Sequence, residues 1–308
     1  MRGLNEKLSV LSPEKRKLLE RMLAGNRQIA RQEVFEPEAL QSFSDAEERT
    51  RTGTRKFYNT VNRQLDSTVF GEHSFFLNYG YACDPSTRTF GVQLPPHFFN
   101  RTSAQLVLEL IGDLDLTGGR FLDIGCGRGG SIMIVKKYFH AALRIGLDLS
   151  SEAIAFCNRI HGDSSTYFME GDAERLPFPG SSFDVVGNVE SSHGYLAIES
   201  FYREVWRVLA PGGAFLYTDI FSPADFAEHE RRLRAIGFVF ERERDVTQNV
   251  LLSCRQVGDR RAEAFDRAAE RNVIKEFLST PDSGVFEAMN SGAALYKIFR
   301  LRKPRGMQ

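Results

Sequence analysis

The feature that most constrains this chain is the regular alternation of short apolar runs with segments of helical spacing, beginning at Thr102. Apolar strands that alternate with amphipathic helices are typical of a parallel sheet, in which right-handed crossovers place helices on both faces. The predicted strands before the last one are 120–124, 143–148, 166–170, 182–189, 214–220 and 238–243. The pattern predicts a doubly wound α/β domain.

The last predicted strand, residues 294–303, differs from the others because its apolar and polar residues alternate. Such alternation is typical of a more exposed, antiparallel strand. We therefore expect a mostly parallel seven-stranded sheet whose last strand is antiparallel. The segment 247–291, which precedes this strand, has a largely helical pattern and is expected to form a helical cap over the ligand site.

Three regions follow from these patterns along the chain. Residues 1–66 are predicted to be a helical extension or linker, with a helix over 12–24 and a highly charged stretch after it that we expect outside the main core. Residues 67–101 are rich in aromatic side chains without a clear period, which favours an entrance or lid. Residues 102–308 form the ligand-binding core.

Composition narrows the class of protein and of substrate. The 308 residues are 42% hydrophobic, enough for a packed core. Lysine plus arginine equals aspartate plus glutamate at 40 each, so no basic excess points to a nucleic-acid substrate. The four cysteines form no C-x-x-C pair, and no run of about 18 apolar residues suggests a membrane span. With no signal-peptide pattern at the N-terminus, we expect a cytoplasmic protein.

The sequence D-I-G-C-G-R-G-G, starting at Asp123, follows the first predicted strand. Its glycines permit a tight turn from strand to helix and a close approach of a ligand to the backbone. Gly125, Gly127 and Gly130 also satisfy the G-x-G-x-x-G pattern of a nicotinamide or flavin site. The carboxylate of Asp123, however, suits a cationic amino group and would repel a pyrophosphate.

Two further acids follow predicted strand ends. Asp148 ends the second strand, where a carboxylate can accept hydrogen bonds from both hydroxyls of a ribose. Asp172 follows the third strand within G-D-A-E-R-L-P-F, where it can accept from the exocyclic amine of an adenine. The segments F-D-V-V at 183–186 and L-A-P-G-G at 209–213 then mark a fourth strand and the turn before a fifth.

In this order, the motifs resemble those of the class I S-adenosylmethionine-dependent methyltransferases over about residues 100–245. The resemblance implies a Rossmann-like fold, with S-adenosylmethionine as cofactor and S-adenosylhomocysteine as product. The cofactor-binding residues that it implies are Tyr79, Tyr81, Asp123, Gly125, Cys126, Gly127, Asp148, Leu149, Gly171, Asp172, Ala173, Asn188, Val189 and Glu190.

Two segments narrow this resemblance: N-V-E-S-S-H-G-Y at 188–195 and N-Y-G-Y at 78–81. Both look like the branch that modifies polyketides and complex lipids, including the phthiotriol and phenolphthiotriol dimycocerosate O-methyltransferases and the methyltransferases of modular polyketide synthases. The implied reaction is methylation of a hydroxyl on a polyketide- or lipid-like molecule, either free or attached to an acyl carrier protein. Methylation of carbon or nitrogen, and a structural use of the cofactor in cyclisation, remain as alternatives.

His193 is the predicted catalytic base, because it follows the fourth strand at the edge where the sheet opens onto the ligand. A neutral imidazole can remove the proton that an attacking hydroxyl must lose. Glu190 would orient that imidazole or contact the cofactor. No metal is expected, since Asp219 is the only obvious acid for one. The predicted substrate-contacting residues are Phe75, Phe76, His97, Phe98, Tyr195 and Tyr217.

The glycine turn and the strand-end acids generate a direct test of ligand class. The protein should bind S-adenosylmethionine or S-adenosylhomocysteine and should bind NADH poorly, because an acid beside the turn repels a pyrophosphate. Isothermal titration calorimetry with each ligand measures this. Clear heat with NADH and none with S-adenosylmethionine would assign the site to a nicotinamide cofactor.

Overall fold

The computed structural model describes residues 45–66, 71–83, 90–95, 97–264, 279–281 and 283–306. These residues form a seven-stranded sheet in the order β3-β2-β1-β4-β5-β7-β6, in which β7 is antiparallel to both of its neighbours. The strands are β1 (Arg120–Ile124), β2 (Leu143–Asp148), β3 (Thr166–Glu170), β4 (Phe183–Val189), β5 (Leu209–Phe221), β6 (Val239–Asp245) and β7 (Leu295–Arg302). The predicted fold class is confirmed.

Helices cover both faces of the sheet. Those in the described residues are α1 (Asp45–Asp66), α2 (Arg101–Ile111), α3 (Gly130–Tyr138), α4 (Ser151–Ile160), α5 (Ile198–Val208), α6 (Pro223–Ile236), α7 (Thr247–Ala264) and α8 (Gly284–Asn290). Neighbouring residues of β1 serve opposite layers of the core: Phe121 packs with α2, α3 and α4, and Leu122 packs with α5 and α6. This alternation within one strand is the signature of a sheet buried on both sides.

Local sequence sets the helix boundaries. Ser150 caps α4 by accepting a hydrogen bond from the Ala153 amide at 3.2 Å. Ser222 caps α6 in the same way, and Pro223 occupies the first helical position. Gly237, with φ of 115°, ends α6 in a conformation that other residues rarely adopt.

The fifth strand begins earlier than the sequence predicts. Leu209 already pairs with Phe183, and the register then shifts so that Val185 pairs with Ala214. The L-A-P-G-G segment is therefore an irregular first part of β5, not a turn that precedes it. Gly212, with φ of 82°, allows the chain to bend there while its amide donates to the Lys303 carbonyl at 2.8 Å.

Helix α1 packs against α4, and none of its described side chains belongs to the two hydrophobic clusters of the core. Val61 and Leu65 are buried. The Asn59 side chain accepts a hydrogen bond from the Ser150 hydroxyl at 2.7 Å, which ties α1 to the start of α4. The buried face of this helix includes polar groups that form hydrogen bonds and ion pairs with the domain. A hydrophobicity pattern does not show such a face.

Arg128, within the glycine turn, is the partner that holds this packing together. Its side chain is fully buried and donates to the Ser74 and Gly71 carbonyls, both at 2.7 Å, and to the Asp66 carboxylate at 2.7 Å. The guanidinium also lies 3.5 Å from the centre of the Phe156 ring. One side chain therefore joins the turn, the end of α1 and the entrance segment.

The predicted helix over 12–24 lies outside the described residues. Helices α7 and α8 are the described part of the predicted cap. Two side chains of α7 donate hydrogen bonds to backbone carbonyls of the entrance segment. Ser253 donates to the Tyr79 carbonyl at 2.8 Å, and the Asn249 amide group donates to the Ala82 carbonyl at 2.9 Å. A capping role for 247–291 and the three regional boundaries stay predictions.

A helix that crosses a membrane must be both long and apolar. Within the part of the chain that the structure describes, no helix meets both requirements.

Replacement of Arg128 by alanine should destabilise the fold, because it leaves buried carbonyls without donors. Each unsatisfied buried group costs about 1–3 kcal/mol, so we expect the free energy of unfolding to fall by about 2–4 kcal/mol. Arg120→Ala is the matched control: its ion pair with Asp184 is about one-third exposed, and its loss should cost less than about 1 kcal/mol. Urea unfolding of both variants measures the difference, and equal losses would contradict the role given to Arg128.

Candidate active site

A large cavity opens at the carboxyl ends of β1, β2, β3 and β4. Its empty volume is about 1260 Å³, counted out to the solvent at its mouth. The lining residues come from five parts of the chain: α1, the entrance segment, the glycine turn, the ends of β2 and β3, and the loop after β4. The carboxyl edge of such a sheet, near the point where the strand order reverses, is where open α/β folds bind ligands.

The glycine turn forms the floor of this cavity. The amides of Gly125 and Cys126 both donate to the Leu147 carbonyl, at 2.8 and 3.0 Å, and so fasten the turn to the end of β2. Gly125 has φ of 67°, and a Cβ there would lie 2.3 Å from the Ser191 hydroxyl oxygen. Glycine is therefore required by both backbone conformation and space.

Asp148 lies where the sequence predicts, at the end of β2 and on the cavity wall. One carboxylate oxygen accepts from the Gly127 amide and the other from the Ser150 amide, both at 2.8 Å. Burial raises its pKa, although these amides favour the charged form. The carboxylate is thus oriented by the backbone and retains lone pairs for ligand hydroxyls.

Asp172 also lines the cavity, but part of its carboxylate is engaged by α1. Oδ1 accepts from the Glu174 amide, and Oδ2 pairs with the Arg51 guanidinium, both at 2.9 Å. Arg51 contacts the Glu174 carboxylate as well. An adenine amine would therefore share Asp172 with Arg51.

His193 forms a dyad with Asp219 at the other end of the cavity. The Nδ1 atom lies 2.7 Å from Oδ1 of Asp219, and the His193 amide donates to Oδ2 at 3.1 Å. Asp219 is fully buried, whereas 37% of the His193 side chain is exposed and lines the cavity. The carboxylate thus fixes the ring and leaves Nε2 as the nitrogen available to a ligand.

The charge of this dyad depends on Asp219. Burial alone would lower the pKa of His193, but the adjacent carboxylate outweighs it and raises the pKa to about 9. The same attraction keeps the pKa of Asp219 below its usual range despite burial. At pH 7 without ligands, the pair is imidazolium and carboxylate.

Glu190, at the end of β4, closes the side of the cavity next to His193. Its carboxylate accepts from the Tyr79 amide at 2.9 and 3.1 Å and from the Tyr296 hydroxyl. Burial raises its pKa to about 7, against the effect of these donors. Its hydrogen bonds among the described residues go to the entrance segment and to β7. That Glu190 orients the His193 ring or contacts the cofactor stays a prediction.

Of the other predicted residues, several do line the cavity. Phe75 and Phe76 pack over the glycine turn, where a Cβ on Gly130 would lie 2.4 Å from the Phe76 ring. Both rings therefore lie nearer to the glycine turn than to His193. The remaining predicted residues on the wall are Tyr79, Gly125, Cys126, Gly127, Leu149, Gly171, Ala173, Val189 and Tyr195.

Three predicted cofactor residues lie off the cavity wall. Asp123 is buried within β1 beneath the turn, and burial raises its pKa to about 8. The Asn188 amide group donates to the Ile124 carbonyl and the Ser191 and Tyr195 hydroxyls, and so braces the loop after β4. The Tyr81 hydroxyl accepts from Arg244 at 3.2 Å on another side of the domain. None of the three lines the cavity in this structure, and a direct contact with the cofactor stays a prediction for each.

Three predicted substrate residues are also placed elsewhere. His97 is exposed, and Phe98 is half-buried against the core beside Lys137. Tyr217 is completely buried behind Asp219, with its hydroxyl 2.7 Å from that of Ser192. The aromatic composition around His97 and Phe98 does not show which way these side chains point. Tyr217 lies in a strand, where successive side chains point to opposite faces, and its side chain points into the core.

Sequence reasoning missed two contributions. Arg51, Thr54, Tyr58 and Asn62 of α1 line the cavity at spacings of three or four residues, which share one helix face. That spacing was visible, but the charged background hid it. Asp219 was considered only for a metal, although its position at the end of a strand neighbouring β4 placed it beside His193.

Several known proteins are similar to this chain in sequence or in fold. A model of the methyltransferase domain matches residues 122–217. A fatty-acid O-methyltransferase of Mycolicibacterium smegmatis is 36% identical over 232 residues, covering 74% of this chain and 83% of that protein. Phthiotriol/phenolphthiotriol dimycocerosates methyltransferase 1 of Mycobacterium ulcerans is 36% identical over 238 residues, covering 75% and 85%. The [4+2]-cyclase SpnF has a similar fold, with TM-score 0.64, 21% identity and coverage of 83% and 97%.

The two mycobacterial relatives, each 36% identical over 74% and 75% of this chain, define a methyltransferase, and the domain match agrees with them. The chain belongs to the S-adenosylmethionine-dependent methyltransferases, which confirms the resemblance seen in the motifs, and S-adenosylmethionine is its cofactor. The cavity fits this ligand, because Gly125 leaves no room for a side chain at the turn and acids line the wall at Asp148, Asp172 and Glu190. Such a wall suits a cation.

Replacement of Asp148 by alanine should weaken cofactor binding, since it removes a carboxylate fixed by two backbone amides. A hydrogen bond to a charged group is worth roughly 1.5–3 kcal/mol, so affinity should fall about tenfold to a thousandfold. Calorimetric titration with S-adenosylhomocysteine measures this. Asp163→Ala, which removes a carboxylate outside the cavity, is the control, and unchanged affinity in a folded Asp148→Ala protein would place the ribose elsewhere.

Proposed function

We propose that this enzyme methylates an oxygen atom of a lipid- or polyketide-like molecule, with His193 as the general base. The observation that carries the proposal is the His193–Asp219 dyad, whose ring is held at 2.7 Å from a buried carboxylate while it lines the cofactor cavity. A base oriented by a carboxylate, at the edge of a closed pocket, is the arrangement that proton removal from a bound nucleophile requires.

S-adenosylmethionine supplies a methyl group on a positively charged sulfur, so the methyl needs no activation and the charge favours a neutral imidazole beside it. The nucleophile must be deprotonated by the protein. Nε2 of His193 accepts the proton of the acceptor hydroxyl, and Asp219 stabilises the imidazolium that results. Tyr58, Tyr79 and Glu190 line the cavity together with His193.

The cofactor would be held by residues at the other strand ends. Asp148 is placed to accept from the ribose hydroxyls and Asp172 from the adenine. Leu149, Gly171 and Ala173 line the wall between them. Phe75 and Phe76 pack over the glycine turn and cover this part of the cavity.

The apolar part of the cavity supports a lipid-like acceptor. Phe76, Leu77 and Leu196 lie on its wall, and Leu196 is 44% exposed at the surface. Two relatives are named for fatty acids and for phthiotriol and phenolphthiotriol dimycocerosates. We propose an acceptor of the same kind, either free or presented by an acyl carrier protein as in polyketide assembly.

Replacement of His193 by glutamine should abolish most turnover with an alcohol acceptor and leave cofactor affinity within about threefold. A positioned base contributes about 10² to 10⁴ in rate, so a loss of that size is expected. The acceptor is a long-chain alcohol or a long-chain phenol, whichever is methylated faster. A long-chain fatty acid, which is already ionised at neutral pH, serves as the acceptor that should need no base. Single-turnover transfer of a labelled methyl, with a cofactor titration on the same preparation, measures both quantities.

Asp219→Asn serves as the companion variant because it keeps the shape and removes the charge. In wild type, kcat/KM for the cofactor should rise with pH through about 9, as His193 loses its proton. In Asp219→Asn that rise should move to lower pH. If His193→Gln keeps more than about half of the turnover, the base is another group. If it also loses the cofactor, His193 belongs to the cofactor site.

Product analysis separates the alternatives within the class. NMR of the methylated product distinguishes a methyl on oxygen from one on carbon or nitrogen. Conversion of a polyene acceptor without uptake of the labelled methyl would instead indicate cyclisation, with the cofactor serving only the structure.

A further inference from the structure

Behind the His193–Asp219 dyad runs a chain of buried hydroxyls that the proposed reaction does not use directly. The Ser192 hydroxyl donates to Oδ2 of Asp219 at 2.6 Å. The Tyr217 hydroxyl lies 2.7 Å from Ser192, and the Tyr202 hydroxyl lies 3.0 Å from Tyr217. All three side chains are essentially inaccessible to solvent.

The direction of each hydrogen bond follows from the number of protons. A hydroxyl carries one proton, and that of Ser192 is committed to Asp219. Tyr217 must therefore donate to Ser192, and Tyr202 must donate to Tyr217. Every hydroxyl in the chain points its positive end toward Asp219, and such aligned hydrogen bonds strengthen one another.

Asp219 has no arginine or lysine partner among the described residues. Its carboxylate accepts from the Ser192 hydroxyl, from the His193 ring and amide, and from the Ile220 amide. A buried carboxylate without a fixed cation needs such donors to remain charged. The hydroxyl chain therefore helps to stabilise the buried charge of Asp219, which is otherwise stabilised only by His193 and two backbone amides.

Other titratable groups facing the dyad come from every neighbouring element: Tyr58 of α1, Tyr79 of the entrance segment, Glu190 of β4, Tyr202 of α5, His229 of α6 and Tyr296 of β7. Burial raises the pKa of each tyrosine, so these stay neutral. Burial lowers the pKa of His229, which stays neutral too. Glu190 alone titrates near neutrality, and it is common to all variants below.

We propose that Ser192, supported by Tyr217 and Tyr202, is a positioning residue that fixes Asp219 and thereby sets the tautomer and basicity of His193. The proposal rests on the proposed role of His193 as base. It also gives Tyr217 a role that fits its complete burial, in place of the substrate contact expected from the sequence.

The physical effect has a definite sign. The positive ends of the aligned hydroxyls oppose a proton on His193, so their removal makes Asp219 a stronger attractor of that proton. Ser192→Ala should raise the pKa of His193 by about 0.5 to 1. Tyr217→Phe should raise it less, since Tyr217 acts through Ser192.

The experiment is NMR titration of the cofactor-free protein labelled with ¹⁵N-histidine, which reports the pKa and the tautomer of His193 without any turnover. The His193→Gln protein assigns the signal. Ser192→Ala, Tyr217→Phe and the double variant are compared with wild type. Tyr81→Phe is the matched control, because it removes a tyrosine hydroxyl that bonds to Arg244 outside the cavity and should leave His193 unchanged.

The double variant decides whether the chain acts as one unit. If Tyr217 works through Ser192, Tyr217→Phe should have no further effect once Ser192 is alanine. An unchanged pKa and tautomer in folded Ser192→Ala, or independent effects that add, would overturn the proposal. If Ser192→Ala does not fold, Tyr217→Phe alone still tests it, since an unchanged His193 there overturns the chain.

Turnover then separates this proposal from the proposed function. With His193 as base, the pH dependence of methyl transfer should move with the NMR titration, and turnover below pH 8 should fall about threefold to tenfold in Ser192→Ala as the neutral fraction shrinks. A shifted NMR titration with an unshifted rate profile would confirm the positioning network and reject His193 as the base.

Discussion

The buried guanidinium of Arg128 is the contact on which the architecture of the site depends. It comes from the glycine turn at the end of β1 and binds the end of α1 and the carbonyls of the entrance segment. Without it, a chain segment rich in charge would have little reason to lie over a cofactor cavity. An arginine suits this position because its several donors satisfy several acceptors at once and its face stacks on Phe156. The same turn that shapes the cavity floor thus recruits the helix that forms the opposite wall.

The sequence was sufficient for the sheet, its strand directions and the class of cofactor, because these follow from local patterns. Apolar runs, caps and the glycine turn each depend on neighbours along the chain. Asp148 and His193 could be placed at one edge because parallel strands share their carboxyl ends. Contacts that depend on side-chain direction were harder. Asp123, Asn188 and Tyr217 lie on the predicted strands but point into the core, and no motif shows which neighbour each will meet.

Helix α1 illustrates a second limit. Its buried face carries Arg51, Tyr58 and Asn62, whose polar groups are satisfied only by residues far along the chain, such as Asp172 and Arg128. A hydrophobicity pattern cannot detect an interface of this kind, since it is made of hydrogen bonds and ion pairs as much as of apolar surface. Because α1 also lines the cavity, its contacts with the domain shape the site. The contact of α1 with the strand ends includes the ion pair between Arg51 and Asp172, and Asp172 also lines the cavity.

The charge distribution of the cavity explains why a cationic cofactor belongs there. Arg51 and Arg128 are committed to carboxylates of α1 or of the strand ends, and His193 is committed to Asp219. Asp148 and Glu190 have no such fixed cation among the described residues, and burial raises the pKa of both. A buried acid with a raised pKa is stabilised in its charged form when a positive ligand arrives. The cost of burying these carboxylates therefore favours a sulfonium ligand over a neutral nucleoside, and the same positive charge lowers the affinity of His193 for a proton.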